Sequence, residues 1–276
     1  MPTELLFQGF SGRVRTFPAV CVLVLISLLA GCVTVSDSRF AREEDEDKAV
    51  DSYVQLATAY LSRGNYDRSR RHLERALELQ PDNAAALATQ GLLYQTEGEP
   101  ELAEESYRKA LRSDSGYTRG RVFYGAFLYG NERFEAAREQ FQLASRDTGY
   151  DDRASVFYNL GRASEQMGDT DGAVEAYRRA LELGRGDPRW MLALSRSLVA
   201  NGDYAAASRY YGRLLRMMEL NPKLEHTPES LLVGIRIARH SGNYDQESSL
   251  ALLLRNRFPD SEQYRQYKVL TVDDNG

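Results

Sequence analysis

Tyr53–Pro81 reads YVQLATAYLSRGNYDRSRRHLERALELQP, two amphipathic helices with a turn between them. Tyr53, Leu56, Ala57 and Tyr60 recur at the three, four and seven spacing of one helical face. Gly64-Asn65 interrupts the period, as a helix-ending turn does. In the second half Ser69, Leu73, Ala76 and Leu77 share an inward face, and Pro81 closes it. Small residues sit where the two helices cross closely, and large ones fill the space beside them.

The same unit can be walked down the chain. Leu87, Gly91, Tyr94, Gly98, Ala103, Tyr107 and Ala110 form a second copy. Tyr124, Gly125, Leu128, Phe134, Ala137, Phe141 and Ala144 form a third. The fourth starts two residues late, with Phe157, Leu160, Gly161, Gly168, Ala173, Tyr177 and Ala180. The fifth has Met191, Leu194, Ser195, Leu198, Gly202, Tyr204, Ala207 and Tyr211. A degraded sixth keeps Leu231, Ala238, Gly242, Tyr244, Leu254 and Pro259 but puts Glu247 where a small residue is expected. The repeat of about 34 residues, with its aromatic, Leu, small, aromatic order, is the tetratricopeptide pattern. It predicts an all-α fold: a solenoid of about six helix-turn-helix repeats over 49–270, each copy packing on its neighbours. Residues 271–276 are expected to be a disordered tail.

The chain has 276 residues, 17 of them Tyr, and a net charge of -5. Removing residues 1–31 takes away Arg13, Arg15 and Glu4 and leaves -6. A polyanion-binding domain is basic, so nucleic acid is not an expected partner.

Residues 1–31 read as a leader. Ala19–Ala30 (AVCVLVLISLLA) is apolar throughout, too short for a spanning helix, and follows Arg13 and Arg15 as a positive flank. The preceding segment MPTELLFQGFSG is untypical of such a leader, and a true start further downstream is expected. The leader ends Leu29-Ala30-Gly31-Cys32, which resembles the lipobox of bacterial lipoproteins, where the cysteine takes the acyl chains. The resemblance implies lipidation at Cys32. Val33 follows where lipoproteins kept in the inner membrane usually carry Asp, which implies outer-membrane sorting. Cys21 lies in the leader, so the mature chain could form no internal disulfide. Residues 32–48 hold the acidic run Glu43–Asp47 and no apolar period, and are expected to be an extended tether after Cys32.

The sequence gives no catalytic constellation. His72, His226 and His240 are far apart in sequence and suggest no metal site. Gly184-Arg185-Gly186 reads as a helix stop and not a phosphate loop, and Trp190 as the anchor of a helix start after Asp187-Pro188. No cofactor and no small-molecule substrate are expected, and the chain reads as a binding protein and not an enzyme.

Tetratricopeptide solenoids usually bind peptides on the surface lined by the first helix of each pair. Here those positions hold Val54, Thr58 and Leu61, then Ala88, Leu92 and Gln95, then Val122, Ala126 and Tyr129. The later copies contribute Tyr158, Arg162, Leu192 and Arg196. Leu61, Leu92 and Tyr129 are expected to form an apolar strip, with Arg162 and Arg196 orienting an acidic flank of the partner. Packing against the tether or a neighbouring helix is the alternative for the strip. The Lys and Asn with which chaperone-binding members grip a terminal carboxylate are replaced by Val54, Thr58 and Thr89.

Leader, lipobox, tether and six repeats together resemble the type IV pilus biogenesis/stability lipoproteins, the PilF/PilW family. The resemblance rests on Tyr107–Ser115 (YRKALRSDS), Tyr124–Tyr129 (YGAFLY), Arg146–Gly161 (RDTGYDDRASVFYNLG), Leu231–Ala238 (LLVGIRIA) and Arg257–Tyr267 (RFPDSEQYRQY). It implies an outer-membrane, pilotin-like lipoprotein with its solenoid in the periplasm. Such proteins help the pilus secretin reach the outer membrane and form its multimer. The family has no catalytic residues to carry over, and only Cys32 transfers as a defined functional residue. A general envelope scaffold for cell-wall synthesis or outer-membrane assembly is the other reading left open.

Overall fold

The turn between the two helices of a pair is built the same way in every copy. Gly64, Gly98, Gly168, Gly202 and Gly242 occupy it with φ of 71°, 82°, 75°, 77° and 70°. This left-handed backbone favours glycine, the residue without a Cβ. Copy three places Glu132 there at φ 59°. A polar side chain then caps most second helices: Asn65 accepts from the Arg68 amide, Asp169 from Gly172, Asp203 from Ala206 and Asn243 from Gln246.

The computed structural model describes residues 39–184 and 186–273, and side chains over 44–184 and 186–271. The chain divides into units 1–47 and 48–276; of the first, only the opening turns of one helix, from residue 39, are described. Thirteen helices are present among the described residues: α1 (Arg39–Leu61), α2 (Tyr66–Leu79), α3 (Ala84–Glu97), α4 (Pro100–Ser113), α5 (Thr118–Gly130), α6 (Phe134–Ala144), α7 (Arg153–Gln166), α8 (Thr170–Leu183), α9 (Pro188–Ala200), α10 (Tyr204–Leu220), α11 (Pro228–His240), α12 (Tyr244–Arg257) and α13 (Glu262–Asp273). From α3 onward each first helix packs on its own second helix, and each second helix packs on the first helix that follows it. The last helix, α13, lies against α11 and α12 without a partner of its own.

Each pair is locked by one small residue meeting one large one sixteen positions on. Ala57 faces Leu73, Gly91 Tyr107, Gly125 Phe141, Gly161 Tyr177 and Ser195 Tyr211, and most of these are fully buried. A Cβ on Gly91, Gly125 or Gly161 would lie only 2.8, 2.8 or 2.6 Å from the facing ring. Copy six exchanges the volumes: Ile235 is on the first helix and Ala251 on the second, in one cluster. Glu247, at the expected small position, is buried and held by Arg239 at 2.7 Å, while Arg239 also donates to the Leu270 carbonyl at 2.8 Å. The sixth pair thereby packs α13 through an ion pair. Trp190 is buried and stacks near Tyr158 at 6.1 Å, as the anchor of α9. Gly184 caps α8.

Two expectations are corrected. Residues 39–48 are helical and are the first turns of α1, not part of an extended tether. Glu is a good helix former, and Glu44 precedes Lys48 by four. At the other end residues 271–273 belong to α13 rather than to a tail. The leader, Cys32 and residues 274–276 lie outside the described residues.

Candidate functional site

The first-helix face carries the residues expected to bind a partner, but they divide into three kinds. Leu61 is 9% exposed and sits in the core cluster of copy one with Ala57, Leu73 and Ala76. It does not present itself to a ligand, which corrects the expected strip. The cause is its register: Leu61, Gln95, Tyr129 and Glu165 each precede the large second-helix residue by twelve, and the position leans on that residue. Gln95 accepts a hydrogen bond from the Tyr107 hydroxyl at 2.8 Å, and Glu165 from Tyr177 at 2.6 Å. Tyr129 departs from the rule and meets Phe134, edge-on, with ring centroids 5.2 Å apart.

Val54, Leu92 and Val122 are half-buried, their inner sides on the cores of copies one to three and their outer sides on the face. Thr58, Gln95 and Ala126 beside them are exposed. None of these six residues carries a charge.

The two arginines behave differently. Arg196 on α9 is held by Glu165 of α7 and Glu229 of α11. Burial works against its charge, but the Glu165 carboxylate more than offsets this and raises it above the ordinary arginine value. Glu165 also accepts from the Ser197 and Tyr177 hydroxyls. Tyr177, Glu165, Arg196, Ser197 and Glu229 thus form one polar network across copies four, five and six. Arg196 is a structural link and not the free cation expected. Arg162 is free of this network. Its guanidinium carbon lies 4.3 Å from the centre of the Tyr129 ring and 6.0 Å from that of Tyr158. Among the described residues it makes no ion pair or hydrogen bond.

Next to Tyr158 the face deepens into a hollow of about 350 Å³, lined by Leu192, Ala193, Arg196, Pro228, Glu229 and Gln263 among others. It exists because α10 is long and the connection to α11 is extended, so that α11 enters through Thr227-Pro228 with a Thr227/Ser230 capping box. The six-residue excess in the spacing to copy six was the signal for it in the sequence. Among the described residues no cluster of His, Cys, Asp and Glu is placed to hold a metal ion.

Two models described as tetratricopeptide repeat match the chain, over residues 54–118 and 128–188 and over 165–222. The type IV pilus assembly protein PilF of Pseudomonas aeruginosa is 37% identical over 255 residues, which cover 92% of this chain and 99% of PilF. The chain belongs to the PilF/PilW family. A structure from the functional characterisation of Pseudomonas aeruginosa PilF superposes with a TM-score of 0.71 at 37% identity, over 82% of this chain and 99% of that one. A structure of PilW, described as a widely conserved type IV pilus biogenesis factor, gives 0.64 at 25% identity, over 79% and 97%. The chain is thus a tetratricopeptide protein of type IV pilus biogenesis, a family that works through protein–protein contacts. The family segment Arg146–Gly161 forms the α6–α7 connection and most of α7. In it Asp147 accepts from the Thr118 hydroxyl at 2.6 Å and from the Gly149 amide at 3.0 Å. Those bonds, the Thr118 hydroxyl first, hold its carboxyl below the usual carboxylate range. They fix the two extra residues of copy four. Arg257–Tyr267 of the PilF/PilW pattern covers the end of α12 and the first half of α13, the helix that lends Gln263 to the hollow.

Proposed function

We propose that this protein is an outer-membrane lipoprotein with a pilotin-like role, which brings the pilus secretin to the outer membrane and assists its multimerisation. It acts by binding and not by catalysis. The observation that carries the reading is the 37% identity to PilF across 92% of the chain, well beyond the repeat consensus positions. The Leu29–Cys32 motif supports the anchor. Acyl chains contribute about 0.8 kcal/mol per buried methylene, so several chains hold a protein where a single one does so only marginally. The solenoid then stands in the periplasm, and Val54, Leu92, Val122, Tyr129 and Arg162 supply the face that meets the partner.

The test is a deletion strain scored for surface pili and for heat-stable secretin multimers, complemented with wild type or Cys32→Ala. Wild type should restore both. Cys32→Ala should fold, leave the outer-membrane fraction and fail to restore multimers at the membrane. Normal pili and multimers in the deletion strain would refute the role and favour a general envelope scaffold. Retention of Cys32→Ala in the outer membrane as tightly as wild type would refute the anchor.

A further inference from the structure

The cations around the hollow are already committed, with one exception. Arg196 is shared by Glu165 and Glu229, and Arg189 is paired with Asp187 at 2.6 Å. Arg162 is held by rings alone, 4.3 Å over Tyr129 and 6.0 Å from Tyr158. Stacking uses the face of the planar guanidinium and leaves its N–H donors, which lie in the plane, unspent. Such a fork fits a carboxylate bidentately. Tyr158 also lines the hollow, so the fork and an apolar recess floored by Leu192, Ala193 and Pro228 are adjacent. Glu229 at the hollow, Glu165 nearby on α7 and Asp187 at the N-cap of α9 make a polyanion a poor occupant. One carboxylate next to one apolar side chain is complementary.

We propose that Arg162 is the carboxylate anchor of a peptide site: it grips an Asp or Glu side chain of an extended partner segment, whose neighbouring apolar residue fills the hollow against Tyr158 and Leu192. This rests on the partner-binding reading above and moves its centre from copies one to three to copies three to six. Tyr129 acts as a positioning residue that holds the guanidinium flat.

The test uses the full-length chain and two labelled peptides in a Ser/Gly background, one with Asp followed by Phe-Leu, the other with Asn in place of Asp. Fluorescence anisotropy reads binding, and circular dichroism melting of the same samples reads folding. Wild type should prefer the Asp peptide at least tenfold, about 1.4 kcal/mol. Arg162→Gln should abolish the preference, Arg162→Lys should keep part of it, and Tyr129→Leu should reduce it with the cation still present. Leu192→Asn should weaken both peptides alike. No binding of either peptide to wild type, equal binding of the two, or a preference that survives in folded Arg162→Gln would overturn the proposal. So would self-association of the wild type that Arg162→Gln abolishes, since a second copy would then occupy the site. The assay contains no secretin, so its failure leaves the deletion-strain result standing, and failure there leaves the peptide result standing.

Discussion

Gly161→Ala adds one methyl where α7 crosses α8, and its cost can be worked out from the contacts. The new Cβ would stand 2.6, 2.7 and 2.9 Å from Cε1, Cδ1 and Cζ of Tyr177. Carbon atoms rest about 3.5 Å apart or more, so the ring must retreat by roughly 0.9 Å. It has nowhere to go. Tyr177 is fully buried, packs on Tyr158 at 5.6 Å, and is tied through its hydroxyl to Glu165 at 2.6 Å. Overpacking costs about 1–3 kcal/mol, while removing a mid-helix glycine returns about 1 kcal/mol of helix propensity. The tether puts the first figure at its upper end, for a net loss of about 2 kcal/mol and a fall in Tm of roughly 4–8 °C. Gly212→Ala is the control: its nearest neighbour is the end of Arg216 at 3.9 Å, so only the propensity gain of about 0.5–1 kcal/mol remains. Thermal and urea melts of both variants, repeated in a Tyr177→Phe background, complete the cycle. Freeing the ring should cut the Gly161→Ala cost by about half. A Gly161→Ala protein as stable as wild type, or a cost unchanged by Tyr177→Phe, would refute the argument.

Glu132→Gly should stabilise the protein by about 0.5–1 kcal/mol, since a left-handed turn favours glycine; urea melts check it. Leu61→Ala should cost about 2–5 kcal/mol, as for any buried leucine, and a cost below about 0.5 kcal/mol in the same melts would return Leu61 to the exposed face. Glu247→Ala should cost about 2–3 kcal/mol by removing the buried carboxylate that holds Arg239, and Glu247→Ala with Arg239→Met should recover part of it in a double-mutant cycle. Burial alone would raise the Glu104 carboxyl, but bonds from Arg133 at 2.8 Å and Tyr124 at 2.9 Å hold it below the usual carboxylate range. Its contribution is therefore complete above the unfolded carboxylate value and is lost as pH falls through the depressed one. Glu104→Gln should flatten that acid limb in Tm measured against pH.

The repeat was legible because its signal is steric. A small residue under a large one, and glycine at all but one of the left-handed turns, leave the same pattern at the same spacing in copies one to five. Copy six looked degraded because a motif records identity and not volume: Ile235 over Ala251 fills the crossing as well as Gly161 under Tyr177 does. Glu247 looked misplaced because its partner Arg239 lies eight residues back, beyond any local pattern. The opening of α1 was missed for the opposite reason. Glu43–Asp47 has no apolar period, and a helix stabilised by propensity and charge spacing gives none to read. Repeat register put Val54, Leu92, Val122 and Arg162 on the first-helix face, where the first three are half-buried and Arg162 lies over the Tyr129 ring. It failed for Leu61 and Arg196, whose surroundings are set by side chains twelve to thirty-three positions away. Leu56 shows the same limit: it is 44% exposed, while its equivalents Leu160 and Leu194 pack inward. Those two are covered by the preceding pair, and copy one has no preceding pair among the described residues.

The polar network through Tyr177, Glu165, Arg196 and Glu229 bears on how the protein comes apart. A stack of repeats joined only to nearest neighbours melts like a one-dimensional chain, fraying inward from either end. Here Arg196 of copy five holds carboxylates of copies four and six at once, so opening copy five strands a carboxylate on each side, and opening copy four or six takes away one of the two counter-charges of Arg196. Copies four to six should therefore open as one block, and amide exchange along α7, α9 and α11 should share a single opening free energy, while α1 to α3 exchange in graded steps. A pulling force applied to the N-terminal end would peel the early copies one by one and meet its first abrupt resistance at α7.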